Sequence, residues 1–264
     1  MNKHWIIQSN LGHNNDHIII AKACCDLKID CTLVHVVPFS KELPYLFSDI
    51  PTVFYGSTRF VNRVFKSRIW SPAAFFDSVK FTVSHWGPIY KEQWFNYGSK
   101  FTTLKEFIFE PHPLDQLFFV RPVKDLKEFT GSVWSFKDLI RWNTGLLKTD
   151  LGDEQLATTP IVVGEPYGIN REWRLFMVDG KVCQASQYRK GHELNISPEV
   201  PKKVIDFGEK AAAIFSPHPI FVLDVCESAD NLYVLEVGCA NSAGFYACNV
   251  YEIVKSISEW IDKQ

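Results

Sequence analysis

The chain has 264 residues, which suggests one large domain or two small ones. Hydrophobic residues make up 46% and charged residues 22%, so disorder, collagen and coiled coil are excluded as the main architecture. The 28 Lys and Arg residues against 30 Asp and Glu give a net charge of −2, which argues against a surface that coats nucleic acid.

The first 70 residues alternate apolar strand-like runs with helical segments. Strands are predicted over 4–9, 31–39 and 51–55, and helices over 18–27 and 60–65. This alternation favours a small α/β unit with a parallel sheet. Because ligands collect beyond the carboxyl ends of such strands, the pattern indicates the loops at 9–16, 38–44 and 56–58. The alternative is that these loops are solvated connections.

The pattern changes in the rest of the chain. Residues 71–115 are rich in aromatics, proline and glycine, predict a helix only near 100–109, and form the expected join between two domains. The elements predicted beyond them are a strand over 117–123, a helix over 136–142 with Ser135 as its cap, a strand over 160–166, two hairpins, and a terminal helix over 249–262.

The first hairpin turns at Asp179-Gly180, the strongest local hairpin signal. A two-residue turn pairs Val178 with Lys181, and side chains alternate between the faces along each strand. One face then carries Glu172, Arg174, Lys181, Gln187 and Arg189. That face is either a solvated sheet surface or a cradle for a polyanion, because guanidinium groups bind phosphate oxygens in pairs.

The second hairpin carries one acid in each otherwise apolar strand. A three-residue turn over 229–231 would place Asp224 directly opposite Glu236. Facing like charges are destabilising, and a divalent cation between them would remove that penalty, with Asn241 as a further oxygen ligand. The alternative is that an Arg or Lys satisfies each acid. A two-residue turn would instead put the acids on opposite faces.

Taken together, these segments resemble the ATP-grasp superfamily over residues 72–264. The motifs that carry the resemblance to its clade named for two arginines and a lysine are Phe-Val-Arg-Pro (119–122), Phe-Thr-Gly (129–131), Glu-Trp-Arg (172–174), Ser-Gln-Tyr-Arg (186–189) and Gly-Phe-Tyr (244–246). The resemblance implies an α+β fold in which a small subdomain (71–160) and a large one (161–264) grip ATP. Residues 1–70 are similar to the small α/β domain that usually precedes the grasp.

The hairpin face and the resemblance together assign the site residues. The expected ATP-binding residues are Arg121, Lys127, Val163, Glu165, Glu172 and Lys181; the expected catalytic residues are Arg174 and Arg189; and the expected Mg²⁺ ligands are Asp224, Glu236 and Asn241. The segment 162–165 would contact adenine and ribose, with Glu165 as the polar anchor. One position departs from the family pattern: relatives commonly have Glu-x-Asn for the metal, whereas Gly238 stands here.

The resemblance implies ATP-dependent ligation of a small-molecule or peptide carboxylate to an amine through an acylphosphate. The acceptors would contact the loops at 9–16 and 56–58 and the face bearing Arg174 and Arg189. Two alternatives stay open: a kinase-like enzyme that stops at the phosphorylated acceptor, and an ATP-binding module that has lost turnover. The Gly238 departure supports the second alternative.

The expected compartment is the cytoplasm. No stretch of about 18 apolar residues predicts a membrane span, and the start of the chain lacks the apolar core and cleavage site of a signal peptide. The seven cysteines are odd in number and contain no C-x-x-C pair. A disulfide framework or zinc knuckle is therefore not indicated.

Overall fold

Three β-sheets organise the protein. The computed structural model describes residues 3–11, 15–37, 40, 42–43, 50–124, 129–146 and 154–264. The first sheet has four parallel strands, the second four antiparallel strands and the third five antiparallel strands. The predicted mixed α/β class is confirmed. No helix within the described ranges is long and apolar enough to span a bilayer.

The first sheet belongs to the N-terminal part of the chain. Its elements are β1 (His4–Gln8), α1 (Asp16–Asp26), β2 (Asp30–Val34), β3 (Thr52–Tyr55), α2 (Thr58–Ser67) and β4 (Pro72–Ala73). The strands are parallel in the order β2-β1-β3-β4. The small parallel-sheet unit is therefore as predicted, and β4 extends it past the expected boundary at residue 70.

Both faces of this sheet are covered, which explains the unbroken apolar run of β1. Trp5 and Ile7 pack on one face with Ile20 of α1. Ile6 points to the other face and packs with Phe60 of α2. The helix α2 starts two residues before the predicted position because Ser57 caps it, accepting a hydrogen bond from the Phe60 N–H.

The second sheet follows helix α3. The elements are α3 (Val83–Tyr90), β5 (Lys100–Thr103), α4 (Leu104–Phe107), β6 (Leu117–Pro122), β7 (Ser132–Ser135), α5 (Phe136–Leu146), α6 (Glu154–Ala157) and β8 (Pro160–Gly164). The strand order is β5-β8-β6-β7. β8, which the expected boundary at 160 assigns to the large subdomain, pairs with β5 and β6. Strand pairing therefore puts the end of the second sheet at Gly164.

The helix predicted near 100–109 is wrong in its first half. Residues 100–103 form β5, and the helix begins only at Leu104. A capping box explains that start: Thr103 Oγ1 accepts from the Glu106 N–H, and the Glu106 carboxylate accepts from the Thr103 N–H. The cap predicted at Ser135 is confirmed, since Ser135 Oγ accepts from the Asp138 N–H at the start of α5.

The third sheet is the largest and lies between two helices. Its elements are β9 (Arg171–Val178), β10 (Lys181–Lys190), β11 (Glu193–Ser197), α7 (Lys202–Ile214), β12 (Ile220–Ser228), β13 (Asn231–Gly238) and α8 (Val250–Ile261). The strand order is β11-β10-β9-β12-β13. Val204 of α7 packs with Leu175 on one face. On the other face Phe176 packs with Ile253 of α8, in the same core as Ile20 of α1.

Two helical glycines predict opposite effects of substitution by alanine. A Cβ at Gly208 of α7 would overlap Cδ2 of Leu175, whereas a Cβ at Gly145 of α5 would meet no described atom within 4 Å. We expect Gly145→Ala to raise the free energy of unfolding by up to about 1 kcal/mol through helix propensity. Gly208→Ala should lower it by about 1 kcal/mol, because overpacking exceeds that gain.

Urea denaturation of both variants measures these changes in the free energy of unfolding. Equal stabilisation by the two substitutions would show that Leu175 moves aside without cost.

Candidate active site

Two cavities adjoin at the third sheet. The larger cavity, about 890 Å³, is lined by the first unit, the third sheet and the loop after β13. The smaller cavity, about 560 Å³, lies between the second and third sheets. Glu236 lines both of them. The cavities therefore meet at the strand that carries the second acid of the predicted pair.

The N-terminal wall of the large cavity comes from the ends of parallel strands. Leu11, Asn15 and Asp16 follow β1, and residues 56–59 follow β3. The structure thus brings the predicted loops 9–16 and 56–58 to one cavity, although residues 12–14 and most of the loop at 38–44 lie outside the described residues. Tyr55 Oη lies 3.1 Å from Asp16 Oδ2, which ties the ends of β1 and β3 together.

The facing acids form by a route that differs from the prediction. The turn has two residues, not three, since Ser228 pairs with Asn231 and both residues between them have positive φ. A β-bulge then shifts the register by one residue, so Asp224 pairs directly with Glu236. The bulge at Leu235 restores the shared face that a two-residue turn alone would abolish. The predicted juxtaposition is confirmed.

An arginine pairs with each of the two acids. Arg174 binds Asp224 with both Nε and Nη2, at 2.9 and 2.8 Å, and Asp224 is 3% exposed. Arg121 of β6 donates to Glu236 Oε1 at 2.7 Å across the small cavity. These contacts realise the alternative interpretation of the pair, because guanidinium groups remove the repulsion that the sequence analysis assigns to a cation.

The first hairpin has the predicted Asp179-Gly180 turn, and Val178 pairs with Lys181. Two bulges in β10 then shift the register beyond the turn. The predicted polar face is therefore only partly correct. Lys181 binds Glu209 of α7 at 2.9 Å, on the side of the sheet away from the cavities. It is not brought to the candidate site.

The shifted register brings a third acid and arginine together. Glu172 pairs with Arg189, and their side chains lie 3.8 Å apart beside the small cavity. Gln187 instead pairs with Trp173, a core residue, and is not part of the polar face. The site thus contains three carboxylate–arginine pairs, counting the two already described.

Two stacked tyrosines, which sequence reasoning missed, form the partition between the cavities. Tyr188 lines the small cavity and Tyr246 the large one, with ring centroids 4.8 Å apart and planes 11° apart. The Arg174 guanidinium lies over both rings, at 5.8 and 5.2 Å. Tyr188 Oη donates to Glu172 Oε2 at 2.6 Å. The tyrosines therefore hold Arg174 and Glu172 in place, and their only sequence signal was membership of the family motifs.

Burial shapes the protonation of this cluster. It raises the pKa of Glu172 above the ordinary glutamate value, while the Tyr188 hydroxyl and the Arg189 charge oppose the shift. It also raises the pKa of Asp224, against the opposing effect of Arg174. The pKa of the Tyr188 phenol lies well above its ordinary value through burial and the neighbouring acids, so this hydroxyl stays a donor at neutral pH.

The raised pKa of Glu172 predicts a pH-dependent gain in stability for Glu172→Gln. An acid whose pKa is raised by folding costs stability when ionised, by about 1.4 kcal/mol for each pKa unit. At pH 7 the variant should therefore have the higher free energy of unfolding. The difference should shrink as the pH falls through the raised pKa of Glu172 towards its ordinary value. Denaturation of both proteins between pH 4 and 8 measures it.

Glu209→Gln is the matched control with the opposite sign. The hydrogen bond from Lys181 lowers the pKa of Glu209, so its contribution is present at neutral pH and is lost as the pH falls. That variant should be less stable than the parent at pH 7 and equal to it in acid. A loss of stability for Glu172→Gln at pH 7 would contradict the assignment of burial as the dominant effect.

Three further predicted ATP-site residues are not brought to the cavities. Val163 of β8 is buried in the core of the second sheet. Glu165 is exposed and accepts a hydrogen bond from Tyr167 Oη at 3.0 Å. The cavity wall lies further along the same connection, at Pro166, Tyr167 and Ile169. Lys127 lies outside the described residues.

Asn241 is bonded within the protein interior. Its Oδ1 accepts from the Phe75 N–H at 2.7 Å, and its Nδ2 donates to the Phe54 carbonyl at 2.7 Å. The carboxamide therefore joins the first unit to the loop after β13. Asn241 is buried and does not line the large cavity that Asp224 and Glu236 line. In the described ranges, no group of three or more His, Cys, Asp or Glu side chains is arranged for a metal.

Aromatic residues from the unassigned segment 71–115 line the small cavity. The Phe95 ring lies 6.0 Å from that of Tyr167 and 5.7 Å from that of Tyr233. Asn96, next to Phe95, also lines the cavity. The sequence offered only an excess of aromatics there, and the contact with β13 that places them, from the Phe95 N–H to the Val234 carbonyl, is long-range.

Comparison with solved structures identifies the fold. The RimK domain protein ATP-grasp from Sphaerobacter thermophilus matches with a TM-score of 0.63 at 10% identity, covering 98% of this chain and 99% of that one. The ATP-grasp ligase PsnB complexed with minimal precursor gives 0.58 at 12% identity, covering 99% of each. The D-alanine–D-alanine ligase from Bacillus anthracis complexed with ATP gives 0.56 at 14%, covering all of each.

Sequence comparison assigns the family. A search of curated proteins finds no match. The profile of ATP-grasp domain family 3 of the clade named for two arginines and a lysine matches residues 59–257. This range includes the strands of the second and third sheets and the three carboxylate–arginine pairs. The match spans most of the chain, and the protein belongs to family 3 of that ATP-grasp clade.

Proposed function

We propose that this protein is an ATP-dependent ligase that joins a carboxylate to an amine through an acylphosphate. The observation that carries the proposal is the meeting of two cavities at one charged cluster. Glu236 lines both cavities, with Arg121 on one side and Arg174 on the other. A cluster so placed can act on a phosphoryl group that passes from a ligand in one cavity to a ligand in the other.

The small cavity has the chemistry of a nucleotide site. Phe95 and Tyr167 offer aromatic surface to a base. Arg121 and Arg189 offer guanidinium groups, which bind phosphate oxygens in pairs. A structural neighbour, the D-alanine–D-alanine ligase, has been solved in complex with ATP. The proposal therefore assigns ATP to the small cavity.

Asp224 and Glu236 are the carboxylates that fit Mg²⁺. They face one another on paired strands and lie beside the proposed phosphate site, and carboxylates with substrate phosphates are how Mg²⁺ is commonly held. When bound, Mg²⁺ neutralises phosphate charge during transfer. Arg121 would leave Glu236 and Arg174 would loosen from Asp224 as phosphate oxygens replace their partners. Asn241 is not proposed as a ligand, because both ends of its carboxamide are bonded elsewhere.

The large cavity is the proposed acceptor site. Asp16 and Ser57 provide polar groups, and Leu194 and Ile196 of the edge strand β11 provide an apolar rim, 68% and 50% exposed. A peptide or small molecule with an apolar portion beside its reacting carboxylate would match this lining. The neighbour PsnB was solved with a minimal precursor. The proposed acceptors are therefore peptide or small-molecule carboxylates and amines.

The proposed reaction has two steps. The acceptor carboxylate oxygen forms a bond to the γ-phosphorus as the bond to the β,γ-bridging oxygen breaks, and ADP leaves. The amine nitrogen then attacks the acyl carbon, the carbon–oxygen bond to phosphate breaks, and the amine proton passes to solvent. Arg174 and Arg189 would stabilise the charge on the transferring phosphoryl group, so no covalent protein nucleophile is needed.

The test is ADP release with candidate carboxylates and amines. Ligation requires that sustained ADP formation depend on both acceptors and that inorganic phosphate appear with an amide product. A stable phosphorylated acceptor formed without amine would instead identify a kinase. Rapid ADP formation that needs neither acceptor would contradict both.

A second candidate is an ATP-binding module without turnover. Gly238 stands where the family commonly has a metal-binding Asn, and the carboxamide of the nearby Asn241 is bonded within the interior. Tight Mg²⁺-dependent ATP binding with no product across a broad acceptor panel would favour this candidate.

A further inference from the structure

Asn96 is a buried polar side chain with an unmet hydrogen bond. It lies between α3 and β5, is 3% exposed and lines the small cavity. Its Oδ1 has no hydrogen-bond partner among the described residues. The backbone around it is anchored, since the Phe95 N–H donates to the Val234 carbonyl at 3.0 Å and the Ser99 N–H donates to the Asn96 carbonyl at 3.1 Å.

An unpartnered buried oxygen of this kind calls for an explanation. Native proteins pair the great majority of their buried polar atoms, because desolvation without a hydrogen bond is costly. Asn96 is fixed by its backbone contacts and borders a cavity, so a ligand in that cavity can supply the missing donor. The shape of the binding site therefore includes an acceptor group at this point.

The neighbours of Asn96 indicate which part of a ligand it meets. Phe95, the adjacent residue, presents its ring to that of Tyr167. The charged end of the cavity lies two residues further along β13 from Val234, at Glu236 with its partner Arg121. A nucleotide that places its phosphates at the arginine has its base at the aromatic end, beside Asn96.

We propose that Asn96 is a specificity-determining residue that reads the nucleobase. Its Oδ1 accepts a hydrogen bond from the exocyclic amine of adenine, the pairing that an asparagine carboxamide makes with this base. The inference rests on the proposed function, because it requires ATP in the small cavity. It adds a recognition contact from the segment before the second sheet, outside the arginines and acids that meet the phosphates.

The first measurement needs no variant. Calorimetric binding to the wild-type protein compares ATP with purine riboside triphosphate, which carries hydrogen in place of the amine. We expect the analogue to bind about 3- to 10-fold more weakly, the value of one neutral hydrogen bond. Equal affinities would overturn the role of Asn96 while leaving ATP binding intact. Absence of binding by either nucleotide would overturn both this inference and the proposed function.

Variants then assign the contact to the residue. In Asn96→Ala, ATP should weaken to the level of the analogue, and the analogue should be unchanged. Asn143→Ala is the matched control, since Asn143 is also 3% exposed with an unpartnered Oδ1 among the described residues, yet does not line the cavity. It should keep the wild-type preference for ATP. Equal weakening of both nucleotides by Asn96→Ala would overturn the proposal in favour of a structural role.

Discussion

Replacing Asp224 with asparagine is expected to lower the free energy of unfolding by about 3 kcal/mol and to abolish turnover. Asp224 is 3% exposed and holds Arg174 through two hydrogen bonds. Removing its charge leaves a buried guanidinium without its anion, which is the costly way to break a buried pair. Turnover is lost because the variant also removes a proposed metal ligand, a contribution of several kcal/mol to the transition state. Chemical denaturation and ADP release measure the two effects.

Glu236→Gln separates stability from catalysis. The Glu236 side chain is 35% exposed and its partner Arg121 is 14% exposed, so solvent screens the pair and its contribution to stability is within about 1 kcal/mol. We expect this variant to stay folded at normal denaturant concentrations and to lose turnover as fully as Asp224→Asn. If Glu236→Gln keeps wild-type Mg²⁺-dependent ATP binding, the metal assignment is wrong.

Arg189→Met is expected to reduce turnover by roughly 100-fold or more with little change in stability. The Arg189 side chain is 48% exposed, lies 3.8 Å from Glu172 and lines the small cavity. Cations aimed at a transferring phosphoryl group contribute at least this much to phosphoryl transfer. Its ion pair is long and half exposed, so the free energy of unfolding should change by less than about 1 kcal/mol. Single-turnover ADP formation and urea denaturation test the two statements.

Lys181→Met is the matched control on the same strand. Lys181 was expected in the ATP site, yet it binds Glu209 of α7 on the opposite side of the sheet. We expect its variant to keep wild-type turnover and ATP affinity. A loss comparable to that of Arg189→Met would mean that the register of β10 differs from the one described.

Local patterns were sufficient wherever short-range physics decided the outcome. The Asp179-Gly180 turn formed as expected, and Ser135 capped its helix. The parallel first sheet followed from alternating apolar runs. Errors arose where a long-range partner overrode the local pattern. Residues 100–103 pair with β8 and become a strand.

Bulges account for the partial success at the two hairpins. In the second hairpin, the turn was shorter than expected and the bulge at Leu235 compensated for it, so Asp224 still faces Glu236. In the first hairpin, two bulges moved Gln187 off the polar face and brought Arg189 opposite Glu172. A one-residue shift exchanges the faces of a strand, and no residue pattern in these strands marks where a bulge occurs.

The sequence by itself determined the fold class, the parallel N-terminal unit, and which strands carry the acids and arginines, because hydrophobic period and turn chemistry are local properties. Only the tertiary structure decided how those charges pair: Arg121 and Glu236 are 115 residues apart in the chain, and they meet because the second and third sheets face one another. The same packing stacks Tyr188 on Tyr246 and places Asn96 at the small cavity. Contacts between sheets depend on how whole faces pack, and single residues do not encode them.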